Sequence, residues 1–139
     1  MYLKLVFTML FILSVGRTVL ADDYNHQHKK PVTMQMKTQH RIMTVINNEW
    51  NAAKKAIDSG DLRSAEKSLQ TILDKSQYME KFVGYKNADK HAEFISEYHL
   101  FVTHVKNLRD KISGQDSSAP ESLKKEIQDS CIRCHAKFK

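Results

Sequence analysis

Glycine and proline are scarce in this sequence, with four and two occurrences in 139 residues. The alternation of apolar and polar residues that is typical of β-strands is nowhere sustained. The lack of alternation argues against strands. Because glycine and proline mark turns, the few that are present indicate a small number of helices with short connections. The sequence therefore predicts an all-α chain.

Long apolar runs are also lacking, with one exception at the N-terminus. Residues 1–21 have a charged start at Lys4, an apolar run over Leu5–Val15 and a small residue at the end, Ala21. This pattern predicts a signal peptide that is cleaved after Ala21. Arg17 interrupts the run before the ~20 residues that a spanning helix needs. We expect an exported, soluble periplasmic protein with no stable membrane insertion after cleavage.

No block of basic residues accompanies the excess of positive charge. The chain has 22 Lys and Arg against 16 Asp and Glu, a formal net charge of +6, and the two signs alternate in segments such as ESLKKEIQD. This composition is typical of solvated helix faces and disfavours a nucleic-acid partner. A mild positive surface would still assist docking to an acidic redox protein.

Four segments carry apolar residues at alternating steps of three and four, as helices of a bundle do. They follow a polar tail at residues 22–30 and predict one domain over residues 31–139. Asp61 is a predicted N-cap of the second helix, 83–90 a connection, and Gly114 the end of the third helix. The residues of the four patterns are, in order, Val32, Met36, Gln39, Met43, Ile46, Trp50, Ala53 and Ile57; Leu62, Ala65, Leu69, Ile72 and Met79; Phe94, Tyr98, Phe101, Val105, Leu108 and Ile112; Leu123 and Ile127.

Four amphipathic helices with short connections predict an antiparallel up-down four-helix bundle. In that topology the end of the fourth helix lies beside the start of the first, the end of the second and the start of the third. A solenoid is the rival fold, because AIDSGDLRSAEKSLQTIL is similar to one tetratricopeptide hairpin. No second copy appears at the required period, which disfavours it.

Cysteine occurs only twice, in the C-terminal segment CIRCHAKFK. On a helix Cys131, Cys134 and His135 share one face, since they are three and four residues apart. A disulfide is one use of such a pair in an exported protein. A thiol-exchange site expects a preceding strand, and a closed zinc site expects four ligands, which this sequence does not offer.

The remaining chemistry uses all three residues. Cys-x-x-Cys-His is the attachment signature of haem c, in which both thiols add across the haem vinyl groups and the histidine is an axial iron ligand. The motif therefore predicts one covalently attached haem c, with Cys131 and Cys134 as thioether positions and His135 as the proximal ligand.

The position of the motif in the last of four helices resembles the cytochrome c′ family, whose members end in C-x-x-C-H-x-x-[YF]-[RK]. Phe138 matches that ending, but Lys139 replaces the arginine that is common there. The resemblance implies a haem within the bundle, a dimer, and Gln39, Ile42 and Phe138 in the haem pocket. The family's Arg-Gln pair in the first helix is Thr38-Gln39 in this chain.

Two functions are open at the sixth iron position. Met43 lies on the inward face of the first helix and is a candidate distal ligand, which would make the protein a six-coordinate electron carrier. Aligning Gln39 with the family's glutamine puts Ile42 over the iron and leaves a site for nitric oxide or carbon monoxide. His40, beside the inward face, and His91, on the inward face of the third helix, are weaker candidate ligands.

Catalysis has little support in the sequence. No distal Arg–His pair at a recognisable spacing indicates a peroxidase, so we expect a protein that is not an enzyme. A redox partner protein, a diatomic gas or both are the expected partners. A helical binding module without haem is the remaining alternative.

Overall fold

The computed structural model describes residues 33–114 and 120–139. These residues form helices α1 (Met34–Asp58), α2 (Leu62–Ser76), α3 (His91–Ser113) and α4 (Pro120–Phe138), with a short 3₁₀ helix at Met79–Lys81. No strand occurs in the described ranges, so the predicted all-α class is confirmed. The predicted signal peptide and polar tail, and the loop before α4, lie outside the described residues. None of the described helices combines the length and the apolar character needed to cross a membrane.

Capping residues set the helix ends where the sequence predicted them. The Asp61 carboxylate accepts a hydrogen bond from the Ser64 N–H at 3.1 Å, and Gly114 follows the last residue of α3.

α2 is shorter than predicted. It ends at Ser76, whose hydroxyl donates to the Ile72 carbonyl at 2.8 Å, a back-bond that disfavours a straight continuation of the helix. Met79 therefore lies on the 3₁₀ helix, where it is still buried.

The helices pack in sequence order: α1 against α2, α2 against α3 and α3 against α4. Close approaches between the backbones of α1 and α4 are few by comparison. The core is mainly apolar, and the predicted core residues Trp50, Phe101 and Leu108 are buried. Gln39, Ser76 and Ser130 are polar residues that are also buried. Its fully buried side chains come mainly from α2 and α3: Leu69, Ile72, Val105 and Leu108.

The connection between α2 and α3 forms hydrogen bonds with the end of α4 and with the start of α1. The backbone N–H groups of Tyr85 and Lys86 both donate to the Phe138 carbonyl, at 2.8 and 3.2 Å, and so satisfy the last turn of α4. The Tyr85 hydroxyl donates to the Met36 carbonyl at 3.0 Å. A Cβ on Gly84 would lie 2.9 Å from the Phe138 Cβ, so only glycine admits this approach.

Candidate functional site

A cavity of about 490 Å³ lies between α1 and α4, on the side where their backbones stay apart. Its volume falls in the range of small-molecule and cofactor sites. Apolar and aromatic residues dominate the floor, and amides and basic groups lie along the walls. The helical lining consists of Gln39, His40, Met43, Thr44, Ile46, Asn47, Trp50, Asn51 and Lys54 from α1; Phe94, Tyr98 and Phe101 from α3; and Gln128, Cys131, Ile132, Cys134, His135 and Phe138 from α4. Met79, Tyr85 and Lys139 complete it.

The three residues of the Cys-x-x-Cys-His motif all line this cavity. They lie within α4, whose i, i+3 and i+4 positions share one face, so the helix itself brings them together. Cys131 and Cys134 are half-buried and His135 is exposed. Both thiols are free, so the structure contains no disulfide between them.

Burial controls the protonation of the two thiols. It raises the pKa of Cys131, with the nearby Lys54 ammonium acting in the opposite direction. It raises the pKa of Cys134 to about 11, and the charge of Glu97 adds to the effect. Reactive thiol-exchange cysteines have lowered pKa values, so the surroundings of this pair do not suit that chemistry.

The surroundings of His135 favour a neutral imidazole. Partial desolvation of its ring at the cavity wall lowers its pKa, and the charge of Lys139 lowers it further. Neutral imidazole is the form of histidine that binds a metal. The motif thus presents two protonated thiols and one neutral imidazole to the same cavity.

The aromatic floor of the cavity comes from α3 and the end of α4. Phe94 meets Phe138 edge to face, with ring centroids 5.4 Å apart, and Tyr98 lies 5.9 Å from Phe101. Phe138 is 3% exposed. These rings give one side of the cavity a dry, apolar surface that a flat hydrophobic group can contact.

The opposite wall belongs to α1. Met43 lines the cavity and is half-buried, whereas Ile42 packs against the core and is not among the lining residues. Gln39 is buried, lines the cavity and donates its amide to the Val83 carbonyl at 3.2 Å. His40 is exposed and lies at the rim.

His91 does not line the cavity, which corrects the prediction made from the α3 pattern. It is the first residue of α3 and is exposed, with its ring stacked on that of Phe94 at a centroid distance of 6.4 Å. His99 is exposed and lies 3.0 Å from a Glu80 carboxylate oxygen. His104 is half-buried and lies 2.8 Å from one of Glu126.

Sequence reasoning missed part of the α1 wall. Trp50 was expected only as core, yet its indole N–H donates to the Gln128 side-chain oxygen at 3.2 Å and links α1 to α4. The Lys54 ammonium lies 5.4 Å from the Trp50 ring centroid, and Asn47 and Asn51 extend the same wall. Their helical spacing from Met43 is a signal that could have identified them.

The residues present fit a haem c. The cavity has a suitable volume, an apolar floor, two thiols on one wall and a histidine directly after the second thiol. Within the described ranges, no three His, Cys, Asp or Glu side chains converge to hold a bare metal ion. No family model, curated protein or solved structure matches this chain.

Proposed function

We propose that this chain is an exported c-type cytochrome that carries one haem c. Cys131 and Cys134 form the thioether bonds, and His135 is the proximal iron ligand. The observation that carries the proposal is the presence of all three residues on the wall of a single cavity of about 490 Å³. When bound, haem supplies one-electron redox chemistry and an iron site for a diatomic gas.

The helix contacts support the up-down arrangement that the resemblance to cytochrome c′ implies. α1 packs on α2, α2 on α3 and α3 on α4, and hydrogen bonds join the start of α1, the connection before α3 and the end of α4. Export to the periplasm and pairing of two copies belong to the same proposal. Export rests on residues 1–21, and pairing rests on the resemblance.

The roles of the other lining residues follow from their contacts. Phe94, Tyr98, Phe101 and Phe138 exclude water from the floor, which favours burial of a hydrophobic macrocycle. The Gln39 amide is already engaged with the Val83 carbonyl, so it shapes the pocket rather than binding iron. Glu97 binds Lys137 and Arg133 and thereby holds the last turns of α4 against α3.

Covalent attachment is the most direct test. The mature protein, produced in a host that matures c-type cytochromes, should retain its haem through acid–acetone extraction. Cys131→Ala combined with Cys134→Ala should abolish this retention, because thioether bonds can no longer form. Ile132→Ala, at an exposed position between the cysteines, is the matched control and should keep full haem. A double variant with undiminished extraction-resistant haem would refute the proposal.

Electron transfer is the function that the distal wall favours. In the proposed antiparallel bundle, the hydrogen bond between Trp50 and Gln128 sets the register of α1 against α4. Met43 is seven residues before Trp50 and His135 seven after Gln128, so both lie about 10 Å along the helices from that bond. Met43 and His135 therefore face the cavity from opposite walls at one level. Gas binding next to Ile42 is the second candidate, but Ile42 does not line the cavity.

Absorption spectra separate these two functions. With Met43 as distal ligand, the ferrous protein should show sharp low-spin bands and add carbon monoxide slowly, because the gas must displace a ligand. Met43→Leu should convert the spectrum to high-spin and accelerate carbon monoxide binding. Met79→Leu, at a buried methionine that also lines the cavity, is the control and should change neither. A low-spin spectrum that survives Met43→Leu would exclude Met43 and point to His40.

A further inference from the structure

The mouth of the cavity continues into a second groove along α1. This groove has a volume of about 710 Å³ and shares His40, Thr44 and Tyr85 with the first cavity. Its remaining lining residues are Met36, Lys37, Arg41 and Val45. Together the two linings form one continuous surface, which we call the α1–α4 face. In the part of the chain that the structure describes, no Asp or Glu lines it.

Cations surround this face without acidic partners. Lys37, Arg41 and Lys54 on α1, and Lys139 beyond α4, form no ion pair with any described residue. The first acid on α1 is Glu49, so the first half of the helix is basic only. By contrast, Lys124 on α4, which lies outside this face, forms ion pairs with Asp58 and Glu121.

Apolar side chains lie within this positive rim. Ile132 is 57% exposed and lines the cavity mouth, and Tyr85 is 39% exposed where the two volumes meet. Lys37 and Lys54 are 17 residues apart on one helix, which separates them by about 25 Å. An apolar centre inside a charged rim of this width matches one side of a standard protein–protein interface.

We propose that the α1–α4 face is the docking surface for an acidic electron-transfer protein. The inference rests on the proposed function, which places the redox centre in the cavity that this face surrounds. Unpaired cations raise the association rate of an acidic partner by long-range attraction. Ile132 and Tyr85 then provide the close apolar contact beside the cavity mouth. A nucleic acid or an anionic membrane would find separated cations rather than the dense basic block that such partners favour.

A binding measurement tests the face independently of haem. The ¹⁵N-labelled full chain is titrated with poly-L-glutamate, and amide shifts are expected at residues 36–54 and 132–139. The double variant Lys37→Glu with Arg41→Glu should abolish them. The control, Lys67→Glu with Lys106→Glu, makes the same change in net charge at exposed positions outside both linings. In this control the amide shifts should be preserved. Shifts that are lost equally in both double variants would show that net charge alone acts, and would refute the proposal.

A rate measurement tests the redox role of the face. The reduced protein passes one electron to ferricyanide, which becomes ferrocyanide, or to tris(phenanthroline)cobalt(III), which becomes cobalt(II). We call the double variant Lys37→Glu with Arg41→Glu the rim variant. At low salt it should react on the order of tenfold more slowly than the wild type with the anionic ferricyanide and faster with the cationic cobalt complex, whereas the control should change little. Equal rates in the two variants would overturn the proposal.

The outcomes also separate this inference from the proposed function. If the protein carried no haem, its spectrum would refute the proposed function, and the poly-L-glutamate titration would still decide whether the face binds acidic polypeptide. Stronger binding to phosphatidylglycerol vesicles or duplex DNA than to poly-L-glutamate, lost in the rim variant and kept in the control, would assign the face to a different partner and refute a protein-docking role.

Discussion

The α2–α3 side and the α1–α4 side of this domain both carry apolar residues at helical steps of three and four, but these residues are buried to different extents. Between α2 and α3, Leu69, Ile72, Val105 and Leu108 are completely buried. Between α1 and α4, Met43, Cys131 and Cys134 are only half-buried, and a cavity separates the helices. Inward-facing residues at steps of three and four therefore become core where two helices meet, and become the wall of a site where they do not.

The two sides also differ in polarity. The buried part of the α2–α3 contact is apolar, apart from the Tyr98 hydroxyl, which donates to the Ser76 carbonyl at 3.4 Å. At its exposed edge, Arg109 donates to the Gln70 side-chain oxygen and Ser113 to the Glu66 carboxylate. Burial raises the pKa of this tyrosine far above its usual range, so it stays neutral. The α1–α4 side carries amides, basic groups and the Trp50–Gln128 hydrogen bond. Three predictions on the stability of variants test these differences between the two sides.

The largest effect is expected on the closed side. Leu69→Ala removes a fully buried side chain and should lower the free energy of unfolding by about 2–5 kcal/mol. Ile132→Ala, on the open side, should cost less than half as much, because its side chain is exposed at the cavity mouth. Urea unfolding of variants with equal haem content measures both. Equal losses would show that the open side is packed as tightly as the closed one.

An intermediate effect is expected where the α2–α3 connection receives the end of α4. Gly84→Ala places a Cβ 2.6 Å from the Lys86 carbonyl and 2.9 Å from Phe138, and should destabilise the domain by about 1–3 kcal/mol. The displaced Phe138 should also alter the haem spectrum. Gly114→Ala has no contact closer than 3.3 Å and serves as the control. If both variants unfold at the wild-type urea concentration, the close approach is not a constraint.

The smallest effect concerns the ion pairs that hold α4 on α3. The Lys137 ammonium, by hydrogen bonding and by charge, lowers the pKa of Glu97, and Arg133 acts in the same direction against burial. A carboxylate with a lowered folded pKa stabilises the protein above its unfolded value of about 4.3, and this contribution is lost as the pH falls through the folded pKa.

Glu97→Gln should therefore lower the free energy of unfolding by about 1 kcal/mol at pH 7 and by much less near pH 3. Urea unfolding at both pH values measures the difference. Glu80→Gln removes an exposed pair with His99 and should have little effect at pH 7. A loss for Glu97→Gln that is independent of pH would mean that shape, rather than charge, is responsible.

Local sequence determined the secondary structure and the motif. Helix periodicity and the caps at Asp61 and Gly114 depend on neighbours within one or two turns, so they could be predicted without the fold. The same holds for Cys131, Cys134 and His135, because the geometry of a single helix places three such residues on one face. The chemistry proposed for them was accordingly visible before any tertiary contact was known.

Tertiary structure alone decided which residues share the cavity with that motif. Met43 rather than Ile42 lines it, His91 is exposed, and Trp50 and Lys54 belong to its wall. Two adjacent positions on a helix differ by 100° in direction, so a small rotation of α1 against α4 decides which of them enters the site. That rotation is set by packing between segments distant in sequence. Helix periodicity placed Met43 on the inward face of α1, but it could not decide between Met43 and the neighbouring Ile42.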